Sequence, residues 1–97
     1  MKTNNEIMER IAGIAEYDDR YSREAFLFVL VALEFTLSTL SVRRHLTGQE
    51  LSKGIAEFAR VQFGYLAKTV IENWRVYSMR DFGEIVYLLI EHGLLSK

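Results

Sequence analysis

The chain has 97 residues, 49% of them hydrophobic and 26% charged, which predicts a single globular domain over residues 1–97 and excludes a disordered chain. It has no cysteine, so disulfides and thiol chemistry are excluded. The formal net charge is −1, with four Lys/Arg and six Asp/Glu in residues 1–24 but six and three in residues 43–75. This mildly basic middle lacks the Lys/Arg density of an electrostatic nucleic-acid binder.

The first predicted helix begins at a capping Thr3 or Asn4 and ends near Glu16. Its apolar residues recur at helical spacing and form one face, while charged residues take the other. The apolar face consists of Ile7, Met8, Ile11, Ile14 and Ala15. A short polar turn follows at residues 17–21.

The most apolar stretch of the chain predicts a central helix over residues 23–41. Nine consecutive apolar residues run from Ala25 to Leu33. Ser22 stands at the position of the N-cap. Because a helix that is apolar on nearly all sides must be covered on nearly all sides, we expect the other helices to wrap around it.

The same stretch, residues 25–42, is long enough to cross a bilayer as a helix of about 27 Å. Glu34 would then lie near the bilayer centre at a cost of about 2.5–3.5 kcal/mol, so we predict a buried helix and no membrane contact. The chain begins with MKTNNEIMER, where no apolar run follows the basic residue, so we expect no signal peptide. Together with the lack of cysteine, this favours a cytoplasmic location.

Three more helices are predicted in the second half of the chain. Thr47 and Glu50 have the spacing of a capping box and open a helix that ends near residue 63. A fourth helix is predicted over residues 65–74, and a fifth, capped by Ser78, ends near residue 92. The inward residues predicted for the fourth helix are Leu66, Ala67, Val70, Ile71 and Trp74.

Glycines and Ser/Thr caps mark the ends of the predicted helices, because the chain has no proline. Gly64 and Gly93 stand just past the third and fifth helices, where a left-handed C-cap is expected. No stretch alternates apolar and polar residues as a half-buried strand would. The sequence therefore predicts an all-α fold, a compact bundle of about five helices around the central apolar helix.

Several motifs have an order and spacing that are similar to those of a known family: YSREAFLFVL at residues 21–30, TGQEL at 47–51, FG at 63–64, Trp74, DFGEIV at 81–86 and GLL at 93–95. The sequence resembles a small family of uncharacterised bacterial proteins described as Verrucomicrobia/Planctomycetes-restricted, and the similarity covers about residues 7–97. The family has no established activity or site, so the resemblance implies a bacterial protein and assigns no role to any residue. Family members continue past the Gly-Leu-Leu with an acidic tail, whose role would lie outside this sequence.

Residues that could carry chemistry are few and have simpler explanations. His45 and His92 are the only histidines, and neither has further ligands at the short spacing of a metal site, so we expect no metal and no cofactor. The hydroxyl residues at helix starts are explained as N-caps. Asp81 and Glu84, one turn apart, are explained as partners of a helix dipole. We therefore do not expect an enzyme.

The surplus of apolar residues indicates a contact with another protein. We place Tyr87 and Leu88 on the outer face of the fifth helix, beside Leu94 and Leu95, and predict that these four residues form an interaction surface. The leading hypothesis is a non-catalytic protein-interaction module that binds a protein partner or forms a homodimer.

A DNA-binding regulator of the winged-helix type is the alternative. Residues 80–97 resemble a recognition helix that passes into a first wing strand, and Arg43, Arg44 and His45 form a candidate basic patch. The exposed face of that helix carries carboxylates, and it has no Arg, Lys, Asn or Gln after Arg80 to contact base edges. Nucleic acid is therefore a disfavoured partner.

Overall fold

The computed structural model describes residues 4–42 and 44–95, with Asn4 described by its backbone alone. Over these residues the protein is all-helical, which confirms the predicted fold class for them. The Cα radius of gyration is 12.9 Å, close to the roughly 12.5 Å expected of a folded domain of this length. The elements are α1 Asn4–Tyr17, α2 Arg23–Ser38, α3 Gly48–Phe63, a 3₁₀ turn Gly64–Leu66, α4 Ala67–Asn73 and α5 Met79–Glu91.

Helix α2 packs against α1, α3 and α5. Its buried residues lie on one broad face, which joins the core formed by Ile11 and Ile14 of α1 and Ile55 of α3. The covering is incomplete, because Leu27 is 36% and Val31 is 44% exposed. The expectation that this helix is covered on nearly all sides is therefore wrong for the arc that carries these two residues.

The end of α2 comes at Ser38, three residues before the predicted residue 41. The hydroxyl groups of Ser38 and Thr39 donate to the backbone oxygens of Phe35 and Thr36 at 2.6 and 2.7 Å. Such local side-chain bonds compete with the helical backbone pattern, which explains the early end.

Hydroxyl caps open two of the helices as predicted. The Thr47 hydroxyl accepts a hydrogen bond from the Glu50 N–H at 3.1 Å, and Glu50 Oε1 accepts one from the Thr47 N–H at 2.9 Å, which completes a capping box. The Ser78 hydroxyl accepts from the Asp81 N–H at 3.3 Å. Ser22 occupies the N-cap of α2 in an extended conformation, but its side chain makes no capping bond.

The predicted fourth helix is present only in part. Gly64 has the expected positive φ of +57°, yet its ψ of −134° leads into the 3₁₀ turn and not into a left-handed cap. Leu66, predicted to face inward, is 62% exposed. It lies in the 3₁₀ turn, whose three residues per turn break the α-helical register on which the prediction rested.

Arg75 joins the two turns at one end of the molecule. Its φ of +69° lies in the left-handed region, at a cost of roughly 1–2 kcal/mol for a residue with a side chain. Its guanidinium donates to the backbone oxygens of Arg20 and Asp19 at 3.1 and 3.3 Å. These bonds hold the α1–α2 turn against the turn that precedes α5.

Helices α2 and α3 lie in close contact at Gly54. A Cβ added there would lie 1.9 Å from Oγ1 of Thr36, a buried residue whose hydroxyl donates to the Ala32 oxygen at 2.8 Å. A real Cβ cannot lie so close to another heavy atom. The glycine therefore sets the distance between the two helices.

We expect Gly54→Ala to lower the free energy of unfolding by about 1–3 kcal/mol, because the added methyl group overpacks this contact. Chemical denaturation followed by circular dichroism measures the change. Adding Thr36→Ala to Gly54→Ala removes the nearest oxygen and should restore part of the loss.

Gly13→Ala is the matched control, because Gly13 is an exposed glycine in α1 with no atom within 4 Å of an added Cβ. It should raise stability by up to about 1 kcal/mol through helix propensity alone. Equal effects of the two glycine substitutions would contradict the close contact.

Candidate interaction surface

An open apolar groove lies on the side of α2 that faces α1, and we call it the α1–α2 groove. Its volume is about 690 Å³. The most exposed apolar residues around it are Met8 at 41%, Leu27 at 36% and Val31 at 44%. Its walls also include the segment that follows α5. The lining residues are Ile7, Met8, Leu27, Leu30, Val31, Leu33, Glu34, Leu94 and Leu95.

The groove follows from how its two walls are placed. Helix α1 buries Ile11 and Ile14 in the core, so its first turns, with Ile7 and Met8, lie along α2 and leave a gap. On the other side the backbone reverses at Gly93, where φ is +78°. The N–H groups of Leu94 and Leu95 then donate to the Leu89 oxygen at 2.9 and 3.3 Å, which holds the segment against the end of α5.

A second groove of about 590 Å³ adjoins the first, and we call it the α2–α5 groove. Leu33 and Leu95 line both grooves, so the apolar surface is continuous along α2. The lining residues are Leu33, Leu37, Arg44, His45, Leu46, Thr47, Gly48, Leu51, Val86, Ile90 and Leu95.

The predicted interaction residues do not form one surface. Leu94 and Leu95 line the α1–α2 groove, whereas Tyr87 is 61% exposed but lines neither groove. Leu88 is only 5% exposed and belongs to the core, so its predicted place on the outer face is wrong. The buried face of α5 includes Phe82, Ile85, Leu88 and Leu89. Val86 is partly buried against the core and also borders the α2–α5 groove.

Sequence reasoning missed Met8, Leu27 and Val31 as surface residues. Leu27 and Val31 lie four positions apart on one side of α2, inside the run of nine apolar residues. These nine residues make α2 apolar around its whole circumference, whereas the core buries only one face of the helix. A stretch apolar all round can therefore also indicate a helix with one side left for another molecule.

The candidate basic patch is only partly available to bind another molecule. Arg43 lies outside the described residues. The Arg44 guanidinium donates to both carboxylate oxygens of Glu50 at 2.9 and 2.6 Å, and this pairing, with the Thr47 N–H, lowers the Glu50 pKa to about 2. His45 is exposed on the wall of the α2–α5 groove. The charge of Arg44 is compensated within the chain.

The most strongly perturbed buried group is Tyr21, which is 3% exposed. Its hydroxyl donates to Asp81 Oδ1 at 2.8 Å, and Asp81 Oδ2 accepts from the Tyr77 N–H at 2.9 Å. Burial, aided by the bond to Asp81, raises the Tyr21 pKa to about 12. The Tyr77 N–H is the main reason that the Asp81 pKa is lowered. The phenol has no access to a substrate, so the pair ties the α1–α2 turn to the start of α5.

Metal ligation finds no support among residues 4–42 and 44–95. In these ranges no three His, Asp or Glu side chains lie close enough together to hold an ion. His92 is half-buried, with its ring edge-on to Tyr17 at a centroid distance of 5.4 Å and its backbone oxygen bonded by the Arg10 guanidinium. Its contacts are those of a residue that closes a helix.

No protein family, curated protein or solved structure matches this chain. Among the described helices, none combines the length and hydrophobicity needed to cross a bilayer.

We expect Tyr21→Phe to lower the free energy of unfolding at neutral pH by about 1.5–3 kcal/mol, because it removes a buried hydrogen bond to a charged group. A raised tyrosine pKa stabilises the fold below the unfolded pKa of about 10. This stability is lost as the pH rises toward about 12. The difference between wild type and Tyr21→Phe should therefore shrink across that range.

Urea denaturation at several pH values measures both effects. Tyr77→Phe is the matched control, because this tyrosine is 68% exposed and should not change stability. A Tyr21→Phe variant as stable as the wild type at neutral pH would show that the bond contributes nothing.

Proposed function

We propose that this protein is a non-catalytic protein-interaction module whose α1–α2 groove binds an apolar segment of a protein. The observation that carries the proposal is the uncovered side of α2, where Leu27 and Val31 remain 36% and 44% exposed beside Met8. A contiguous exposed apolar surface of this kind is typical of a protein contact.

A helix is the segment that fits this groove best. The groove runs along α2 between two walls, α1 and the segment with Leu94 and Leu95. An amphipathic helix presents anchors at i, i+3, i+4 and i+7, which fill a groove of this form. Leu27 and Val31 line the groove four residues apart on α2, which is the same spacing as that of the i and i+4 anchors.

The finer features of the proposal come from the sequence. We take α2 as the central helix of a five-helix bundle in a bacterial, cytoplasmic protein. The lack of cysteine supports the cytoplasm, and the family resemblance supports the bacterial origin.

A winged-helix-like DNA-binding regulator has weaker support. Arg44 is paired with Glu50, and the exposed face of α5 carries Glu91 beside Tyr87. A carboxylate facing phosphates is repulsive. Over the described residues, no strand stands where a wing would begin.

We expect a displayed library of amphipathic helical peptides to yield binders that shift the NMR signals of the Met8, Leu27 and Leu94 methyl groups. Val31→Asp should weaken these binders about tenfold or more, because it places a charge in an apolar contact. Fluorescence anisotropy with labelled peptides measures the affinities.

Val42→Asp is the matched control, because Val42 is 74% exposed and lines neither groove. It should leave the affinities unchanged. Binders that ignore Val31→Asp, or that shift signals elsewhere, would contradict the proposal.

A further inference from the structure

His92 lies where the end of α5 meets α1, two residues before the Leu94 wall of the α1–α2 groove. Its ring is edge-on to Tyr17 of α1 at a centroid distance of 5.4 Å. Its backbone oxygen accepts a hydrogen bond from the Arg10 guanidinium, also on α1. One contact of the side chain and one of the backbone therefore join the end of α5 to α1 at this residue.

The Nε2 atom of His92 is buried and has no hydrogen-bond partner within the described part of the chain. In the neutral tautomer that carries its proton on Nδ1, Nε2 is an acceptor, and no buried N–H is left unpaired. In the protonated ring both nitrogens carry a proton, so Nε2 becomes a buried, charged donor without an acceptor. Burying an unpaired charge is costly. The observed position of the ring therefore favours its neutral form.

The groups around the ring do not compensate an added charge. From α1, the Arg10 guanidinium and the aromatic ring of Tyr17 contact His92, and the first of these is itself a cation. On α5, Glu91 is the neighbouring carboxylate along the chain, and its side chain is exposed. Over residues 4–42 and 44–95, no carboxylate forms an ion pair with the ring. A protonated His92 would therefore lie beside a like charge.

The backbone at the end of α5 offers little compensation either. Carbonyl groups at a helix C-terminus attract a cation. Here the oxygens of Leu88, Leu89 and Ile90 already accept backbone N–H groups at 3.0, 2.9 and 3.0 Å. None of them bonds to Nε2 of His92. The attraction of the helix end is thus outweighed by the burial of an unpaired charge beside Arg10.

We propose that protonation of His92 opens one wall of the α1–α2 groove. Neutral His92 holds the end of α5 on α1, and protonated His92 leaves this position. Leu94 and Leu95 move with it, because their N–H groups are bonded to the Leu89 oxygen of the same helix end. Histidine is the side chain whose charge ordinarily changes between about pH 5 and 8. The groove is therefore complete at the upper end of this range and loses a wall at the lower end.

The consequence for peptide binding rests on the proposed function of the groove. A helical peptide in the groove contacts both walls, so it binds the complete groove more tightly than the open one. We expect the affinity of peptides without histidine to fall about fivefold as the ring gains its proton. Fluorescence anisotropy at about pH 7.5 and 5.5 measures the difference.

NMR of the free protein tests the opening without any ligand. Between about pH 8 and 5, the Leu94 methyl signals should shift with the same midpoint as the ring signals of His92. In His92→Gln, whose side chain stays uncharged, the Leu94 signals should not follow the pH. His92→Phe, which keeps a ring beside Tyr17, replaces this variant if it unfolds. His45→Gln is the matched control, because His45 is the only other histidine and is exposed, and it should respond as the wild type does.

Three results would overturn the opening of the wall by protonation. They are Leu94 signals that do not follow the His92 ring or a ring that stays neutral throughout, a pH response that persists in the folded His92 variant, and a response lost in His45→Gln.

The two measurements together separate this outcome from failure of the proposed function. A wild type whose Leu94 signals follow His92 but which binds no helical peptide keeps the opening and overturns the interaction module. Peptides that bind equally well at both pH values, with Leu94 signals that do not move, keep the module and overturn the opening.

Discussion

The ring of Phe28 in α2 contacts aromatic rings from every later part of the fold. It lies 5.3 Å from Phe58 of α3, 5.3 Å from Trp74 at the end of α4 and 6.2 Å from Phe82 of α5, measured between ring centroids. Each such pair adds about 0.5–1.5 kcal/mol beyond the burial of apolar area. Three elements are thereby drawn to one side of α2, and their positions depend on this contact.

The groove is a consequence of the same packing. With α3 and α5 gathered around the buried face of α2, α1 is the remaining helix beside the arc that carries Leu27 and Val31. Helix α1 reaches that arc only with its first turns, because Ile11 and Ile14 are committed to the core. An apolar run of nine residues therefore leaves one side to the solvent, or to another molecule.

Tyr65 and Leu66 are exposed beside the same aromatic contact. Phe63 and Trp74 are drawn toward Phe28, so the two residues that follow Gly64 are turned away from the core. The packing that builds the interior thus leaves apolar residues exposed both along the α1–α2 groove and at this turn. A chain of this size has too few helices to bury all of its apolar surface.

The sequence by itself determined the features that depend on neighbours along the chain. The capping box of Thr47 and Glu50, the cap at Ser78 and the all-α class follow from local hydrogen bonding and from periodicity, which need no distant partner. Only the tertiary structure decided which side of an apolar helix is covered. Leu88 is buried and Val31 is exposed because the placement of α1 and α5 around α2 sets these faces, and both residues are equally apolar in the sequence.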